Sequence, residues 1–163
     1  MLAIVAPNAT TGFGCYAWGN NSMGQLGIDS TDDSYSPKEI TSLKKSERFD
    51  QVIAGFDFSL GVSRQSRRVY MWGNIKYQGT FNNNPNMTMH KTPTLIKELE
   101  GNKIRRIYCS QTYVFAIDEN FSIKHWGQWL YDRANEEFMV AGLTKQDPEE
   151  KKGGRKSDGG DDS

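Results

Sequence analysis

The chain has 163 residues, with 20 Lys and Arg against 20 Asp and Glu, so its formal charge is zero and no global field draws it to nucleic acid or to an acidic membrane surface. No stretch approaches the ~18 apolar residues of a membrane helix. The apolar start Met1-Leu2-Ala3-Ile4-Val5-Ala6 lacks a basic flank and is cut by Pro7, unlike a signal peptide. The chain is therefore expected to be intracellular, cytoplasmic or nuclear, with Cys15 and Cys109 reduced and buried rather than paired.

The first informative run is Cys15-Tyr16-Ala17-Trp18-Gly19-Asn20, which leads into Gly24-Gln25-Leu26-Gly27. Two glycines three residues apart suit a tight turn that reaches positive φ, so Gly24 and Gly27 predict the passage from one strand to the next. Ser36-Pro37 biases the chain to an extended or turn conformation. Phe49 to Gly55 and Phe58 to Val62 then predict two short strands separated by a turn. The same order of events returns with Val69-Tyr70-Met71-Trp72-Gly73, then Thr92-Pro93, Ile104 to Cys109 and Tyr113 to Ile117. The turn after Ile117 is Asp118-Glu119-Asn120, in which Asn120 is the expected left-handed residue. A third unit opens with Phe121-Ser122-Ile123-Lys124-His125-Trp126-Gly127. The three Trp-Gly pairs, at positions 18, 72 and 126, thus share an interval of 54 residues, the mark of an internal structural repeat.

Residues Tyr16 to Gly27, followed by a proline and a Val-Ile-Ala-Gly segment ahead of the next Trp-Gly, resemble the regulator of chromosome condensation repeat. The resemblance runs from about Phe13 to Trp129 and is most specific in its first unit. Where that family usually places a histidine after the Ala-Gly pair, this chain has Phe58 and, one unit later, Tyr113. Its Gly-Gln-Leu-Gly element changes to Tyr77-Gln78-Gly79-Thr80 and then to Leu130-Tyr131-Asp132-Arg133. The resemblance implies an all-β fold, a β-propeller of four-stranded blades in a ring of roughly seven. Kelch units carry a paired-glycine strand end and WD-type units end in Trp-Asp; neither fits the Trp-Gly pairs. The chain holds about three periods, whereas propellers close with about four to eight blades, so an incomplete propeller of about two to three blades is expected, part of a larger protein or of an assembly.

The expected organisation is an N-terminal extension over 1–12, propeller repeats over 13–131, a cap over 132–143 and a charged tail over 144–163. Phe138, Met139, Val140 and Leu143 fit either a short capping helix or a strand. Lys145 to Ser163 holds no aromatic or β-branched residue with which to offset its ordering entropy, and is expected to be disordered. Asn82-Asn83-Asn84-Pro85-Asn86 reads as a surface loop.

For chemistry the chain offers little. His90 and His125 have no ligand-spaced partners, and two isolated cysteines cannot complete a zinc site. Asp158 to Asp162 lacks the closing glutamate of a calcium loop, and no glycine-rich phosphate cradle is followed by Lys-Ser or Lys-Thr. No catalytic residue, cofactor or metal is therefore expected. Arg64, Arg67 and Arg68 around one hairpin, and Lys103, Arg105 and Arg106 near a strand start, read as solvated charge or, alternatively, as a phosphate or nucleic-acid contact. Trp18, Trp72 and Trp126 read as equivalent packing positions between blades rather than as a ligand cage, while Trp129 falls off the period. The repeat signature is thus Trp18, Gly19, Gly24, Gln25, Leu26, Gly27, Trp72, Gly73, Trp126 and Gly127, all structural. The expected function is a non-catalytic scaffold for protein partners. The resemblance implies that these include small GTPases, chromatin, ubiquitin-ligase neighbours, or ciliary and cytoskeletal proteins. Its alternative activity is guanine-nucleotide exchange on a Ran-like GTPase.

Overall fold

The computed structural model describes residues 2–8, 12–42, 48–76 and 87–127, with side chains from residue 14 onward. Among these residues ten strands form three antiparallel sheets. The first sheet has the order β1 (Leu2–Asn8), β2 (Gly12–Gly19), β3 (Ser34–Glu39). The middle sheet has four strands, β4 (Phe49–Ala54), β5 (Phe58–Ser63), β6 (Val69–Asn74) and β7 (Met89–Leu95), in chain order. The third pairs β8 (Ile104–Cys109), β9 (Tyr113–Asp118) and β10 (Ile123–Gly127). The fold is all-β, and its sheets are blades of a partial propeller. The repeat interval aligns β2, β6 and β10, each carrying Trp-Gly at or next to its last residue.

Alternation along these strands builds the core. On β6, Tyr70 and Trp72 face the first sheet and pack with its Cys15 and Ala17, with Leu26 and Ile40 beside its strands, and with Phe49 of β4 in their own sheet. Val69 and Met71 face the third sheet and join Phe58, Leu60, Val62, Ile104, Ile107, Val114, Ala116 and Trp126. Buried residues thus form two layers, one between each pair of neighbouring sheets, as expected when a sheet has apolar residues on both faces. Polar links reinforce the second layer. Gln51 Nε2 donates to the Ile107 carbonyl at 2.6 Å while its Oε1 accepts the Ile107 N–H at 3.1 Å, an amide pairing between β4 and β8.

The segment expected as an N-terminal extension contributes β1, which pairs with β2 from Leu2↔Ala17 to Asn8↔Gly12 and packs against β4. Pro7 does not end this strand because the ladder breaks its register between Val5 and Asn8, so no pairing donor is required of it. Pro37 and Pro93 obey the same rule. They sit on the outer strands β3 and β7, where the ladder shifts between Ala17 and Gly19 and between Met71 and Gly73.

Phe121, not Asn120, takes the left-handed conformation in the β9–β10 turn, with φ of 62°. The reason is local. Asp118 Oδ1 accepts the N–H groups of both Asn120 and Ser122 at 2.9 Å, which fixes Asn120 inside an Asx turn and passes the positive φ to the next residue. Arg67, at the matching place before β6, has φ of 58°. Phe121 is 72% exposed and has its ring under the Arg105 guanidinium, 5.5 Å from the centroid. Replacing Phe121 with Asn is expected to raise stability by up to about 1 kcal/mol, since Asn tolerates this region and a bulky side chain does not. Urea denaturation of the two chains checks it.

The 132–143 cap, the 144–163 tail, Trp129, the polar segment 82–86 and the altered elements at 77–80 and 130–133 lie outside the described residues. Among the described residues no helix is long and apolar enough to cross a membrane.

Candidate interaction surface

Because the strands alternate in direction, the connections fall at two ends of the sheets. One end gathers the β2–β3 loop, the β4–β5 turn, the β8–β9 turn, the last residues of β6 and the first of β7. The opposite end gathers the connections that carry the arginines.

The β2–β3 loop is built around Asn21, which is fully buried. Its Nδ2 donates to the carbonyls of Ser30 at 2.9 Å and Asp32 at 3.0 Å, and its Oδ1 accepts the Leu26 N–H at 2.9 Å. Asp33 Oδ1 accepts the Asn21 N–H at 2.7 Å. One amide therefore closes a loop of more than ten residues. Sequence reasoning missed Asn21; the signal available was an amide side chain just beyond the Trp-Gly pair, in a loop otherwise short of partners for its backbone.

Gly24 and Gly27 turn this loop with φ of 75° and 74°. A Cβ on Gly27 would come within 2.7 Å of Trp72 Nε1, so the glycine is also the floor on which the next sheet's tryptophan lies. Leu26 is buried beside it, and Ser59 Oγ donates to the Gln25 carbonyl at 2.8 Å. The Gly-Gln-Leu-Gly element is thus a latch between two sheets. Trp72 and Trp126 are fully buried, each against the preceding sheet. Trp18 is only half-buried, because among the described residues no sheet packs on that face of the first sheet. Gly19, Gly73 and Gly127 all have positive φ.

At the loop end the exposed groups are Phe56, at 73%, together with the carboxylates of Asp29, Asp32 and Asp33. The Phe56 N–H donates to the Gln111 carbonyl at 3.0 Å, which ties the turns of the middle and third sheets together. Asn74 Nδ2 donates to Asp57 Oδ2 at 2.8 Å. The opposite end brings the two basic clusters together. Arg67 donates to Asp50 Oδ2 of its own sheet at 2.6 Å and reaches across to the third sheet, to the Ile104 carbonyl at 2.9 Å and the Arg105 carbonyl at 2.8 Å. Arg68 pairs with Glu100 at 2.8 Å and Lys103 with Glu119 at 3.1 Å. Much of the positive charge there is spent on internal carboxylates and carbonyls.

The thiols and imidazoles do not converge. Burial pushes the Cys15 thiol up to about 12 and also raises that of Cys109, whose Sγ lies 3.4 Å from the Ala54 carbonyl, so both favour the protonated form at neutral pH. His125 Nδ1 is hydrogen-bonded to the Tyr113 hydroxyl, and His90 stands on β7, in the middle sheet. No group of three His, Cys, Asp or Glu able to hold a metal occurs among the described residues. Partial burial lowers the His90 pKa below its usual 6.5. The unfolded chain then binds that proton more readily than the folded one, so stability is expected to fall as pH drops through about 6.5. Urea midpoints at about pH 7.5 and about pH 5.5 measure this, and His90→Gln should reduce the difference.

The regulator of chromosome condensation (RCC1) repeat model matches residues 14–62, the span that holds most of β2, the latch, β3, β4 and most of β5. This chain belongs to that repeat family. Its repeats are 29% identical over 114 residues to the ultraviolet-B receptor UVR8 of Arabidopsis thaliana, covering 69% of this chain and 25% of the receptor. They are 29% identical over 113 residues to the human probable E3 ubiquitin-protein ligase HERC6, covering 69% of this chain and 11% of the ligase. Among solved structures, Prp20p of Saccharomyces cerevisiae superposes with a TM-score of 0.62 at 19% identity, over 77% of this chain and 30% of Prp20p. That structure is described together with binding of Prp20p to Gsp1p and to histones. The chain therefore spans a quarter or less of the length of these two curated relatives, and its RCC1 repeats account for the stacked sheets.

Proposed function

We propose that this chain is a non-catalytic binding module whose loop end holds a protein partner, in the cytoplasm or nucleus. The observation that carries this reading is the β2–β3 loop, ordered in advance by the buried Asn21 and carrying exposed Asp29, Asp32 and Asp33, at the same end of the sheets as the exposed Phe56. A loop already held in one conformation loses little entropy on binding, and a large exposed aromatic is a common interface anchor. The carboxylates favour a partner with a basic patch. The outer edges offer less, because Pro37 and Pro93 interrupt the free donors of β3 and β7 that strand addition would use. The diversity of relatives, a receptor and a ubiquitin ligase among them, is what a shared scaffold with different loops produces.

The alternative is guanine-nucleotide exchange on a Ran-like GTPase, supported by the likeness to Prp20p and its binding to Gsp1p. Exchange demands a surface that favours the nucleotide-free GTPase over the loaded one, whereas holding a partner demands affinity alone. Two measurements separate the readings. A Ran-like GTPase loaded with fluorescent nucleotide should release it at the same rate with or without excess chain; a marked acceleration overturns the scaffold reading in favour of exchange. Affinity capture with the native chain should retain a protein that Phe56→Asp and the double change Asp32→Lys, Asp33→Lys lose. Equal capture by all three chains would remove the loop end from the interface.

A further inference from the structure

The strand order puts β3 at the edge of the first sheet and β7 at the edge of the middle one. Both bulge at the same place in the repeat. On β3 the ladder pairs Ala17 with Lys38 and Gly19 with Ser34, so Tyr35, Ser36 and Pro37 together stand opposite Trp18. On β7 it pairs Met71 with Thr94 and Gly73 with His90, so Lys91, Thr92 and Pro93 stand opposite Trp72. A bulge at an edge re-aims side chains out of the ladder. Tyr35 is 95% exposed, more than any other large hydrophobic residue among those described, and the buried Ser34 holds the bulge by donating from Oγ to the Ser36 carbonyl at 2.7 Å. The Tyr35 ring joins neither apolar layer, and its hydroxyl has no hydrogen-bond partner among the described residues. Lys91, at the same place in the second bulge, is exposed too, although the preceding sheet's loop packs on its backbone: the Asp29 N–H donates to the Lys91 carbonyl at 3.1 Å, and a Cβ on Gly24 would lie 3.0 Å from Lys91 Cα. The first side chain of the bulge thus stays in solvent with a sheet packed ahead of it, so the exposure of Tyr35 does not depend on what precedes the first sheet.

We propose that Tyr35 is a phosphorylation site for a tyrosine kinase whose substrate cleft is basic. Asp32 and Asp33, both exposed, precede it by three and two residues. Tyr108, the next most exposed of the described tyrosines at 53%, follows Arg105 and Arg106 at the same spacing and is held opposite Phe115 in a regular stretch of ladder. A basic cleft therefore attracts the first site and repels the second. Reach separates them as well, because a kinase must bring the hydroxyl into its cleft, which a bulged edge residue allows without breaking a ladder. In the transfer, Tyr35 Oη attacks the γ-phosphorus of kinase-bound ATP. The new Oη–P bond forms as the bond from phosphorus to the ADP oxygen breaks, ADP leaves with that electron pair, and the phenolic proton passes to the kinase's catalytic aspartate. The phosphate adds about −1.5 to −2 of charge at pH 7. It stands two residues beyond Asp33, so it extends the acidic end of the sheets and makes the charge there switchable.

The full chain, incubated with MgATP and a purified tyrosine kinase domain that prefers acidic residues before its tyrosine, should incorporate phosphate, and peptide mass mapping should place it first on Tyr35. Tyr35→Phe should remove that incorporation with the circular dichroism unchanged. Asp32→Asn together with Asp33→Asn, which keeps an acceptor oxygen for the Asn21 N–H, should slow it at least about threefold. A synthetic peptide of residues 30–41 should react no more than about tenfold faster than the folded chain, because the site needs no local unfolding to be reached. An unmodified chain, prior modification of another tyrosine, indifference to the two Asp changes, or a peptide favoured by more than about a hundredfold would each overturn the proposal. The assay needs no partner at the loop end, so it stands or falls separately from the proposed function.

Discussion

Trp72→Ala is expected to lower the unfolding free energy by about 3 to 5 kcal/mol, the range for truncating a buried large aromatic. The ring is fully buried between two sheets. It stacks on Phe49 with centroids 5.7 Å apart and planes 5° from parallel, and its edge rests on Gly27. Its indole N–H has no acceptor among the described residues, so the loss is one of packing and burial rather than of a hydrogen bond. Trp72→Phe, which keeps a ring against Phe49, should therefore cost clearly less than Trp72→Ala. Trp18→Ala should also cost less, because the same side chain one repeat earlier is half-buried. Urea unfolding of the three variants gives the order. A Trp72→Ala loss below about 1 kcal/mol would mean that this layer adds little to cohesion between the sheets.

What the sequence made legible was what the repeat enforces at every turn of the chain. Trp-Gly at a fixed interval marked strands in equivalent environments, and Gly24 and Gly27 marked the turn between strands because positive φ there excludes most residues. Ser36-Pro37 marked extended or turn backbone, and the structure places both Pro37 and Pro93 on outer strands, where a missing donor is tolerated. Features that depend on partners distant in sequence were hidden. Arg67 reads as one charge in a hairpin, yet it spans to carbonyls at 104 and 105 and links two sheets. Asn21 reads as a loop residue, yet its amide is the loop's centre. Strand β1 was obscured by Pro7, which cuts the apolar start of the chain; the strand tolerates it because β1 lies at the edge of its sheet and the ladder breaks register there. Asn120 drew the left-handed assignment by type, but the Asp118 carboxylate decided the turn. The seating of the latch against Trp72 was similarly invisible, because it joins elements about one repeat apart.

Gly73→Ala is expected to destabilise the fold by about 2 to 5 kcal/mol, combining about 1 to 2 kcal/mol of left-handed backbone strain with about 1 to 3 kcal/mol of overpacking. Gly73 has φ of 91°, and a Cβ there would lie 2.5 Å from the Asp57 carbonyl oxygen and 2.7 Å from Phe58 Cα. Those are backbone atoms of the adjacent strand, which cannot swing aside as the end of a long side chain can. Gln25 Cα of the preceding sheet's latch stands 3.1 Å away on the other side. Gly101→Ala isolates the first contribution, since Gly101 has a φ of 89° but nothing within 4 Å of its added Cβ; it should cost only about 1 to 2 kcal/mol. The difference between the two variants, read from urea midpoints, is then the steric cost of closing the gap between neighbouring sheets. Equal losses would show that the strands yield to a methyl group. A larger loss at Gly73 explains why the tryptophan is followed by glycine in all three units: the ring fills the space between sheets, and the next residue must have no side chain for the strands to come close enough to enclose it.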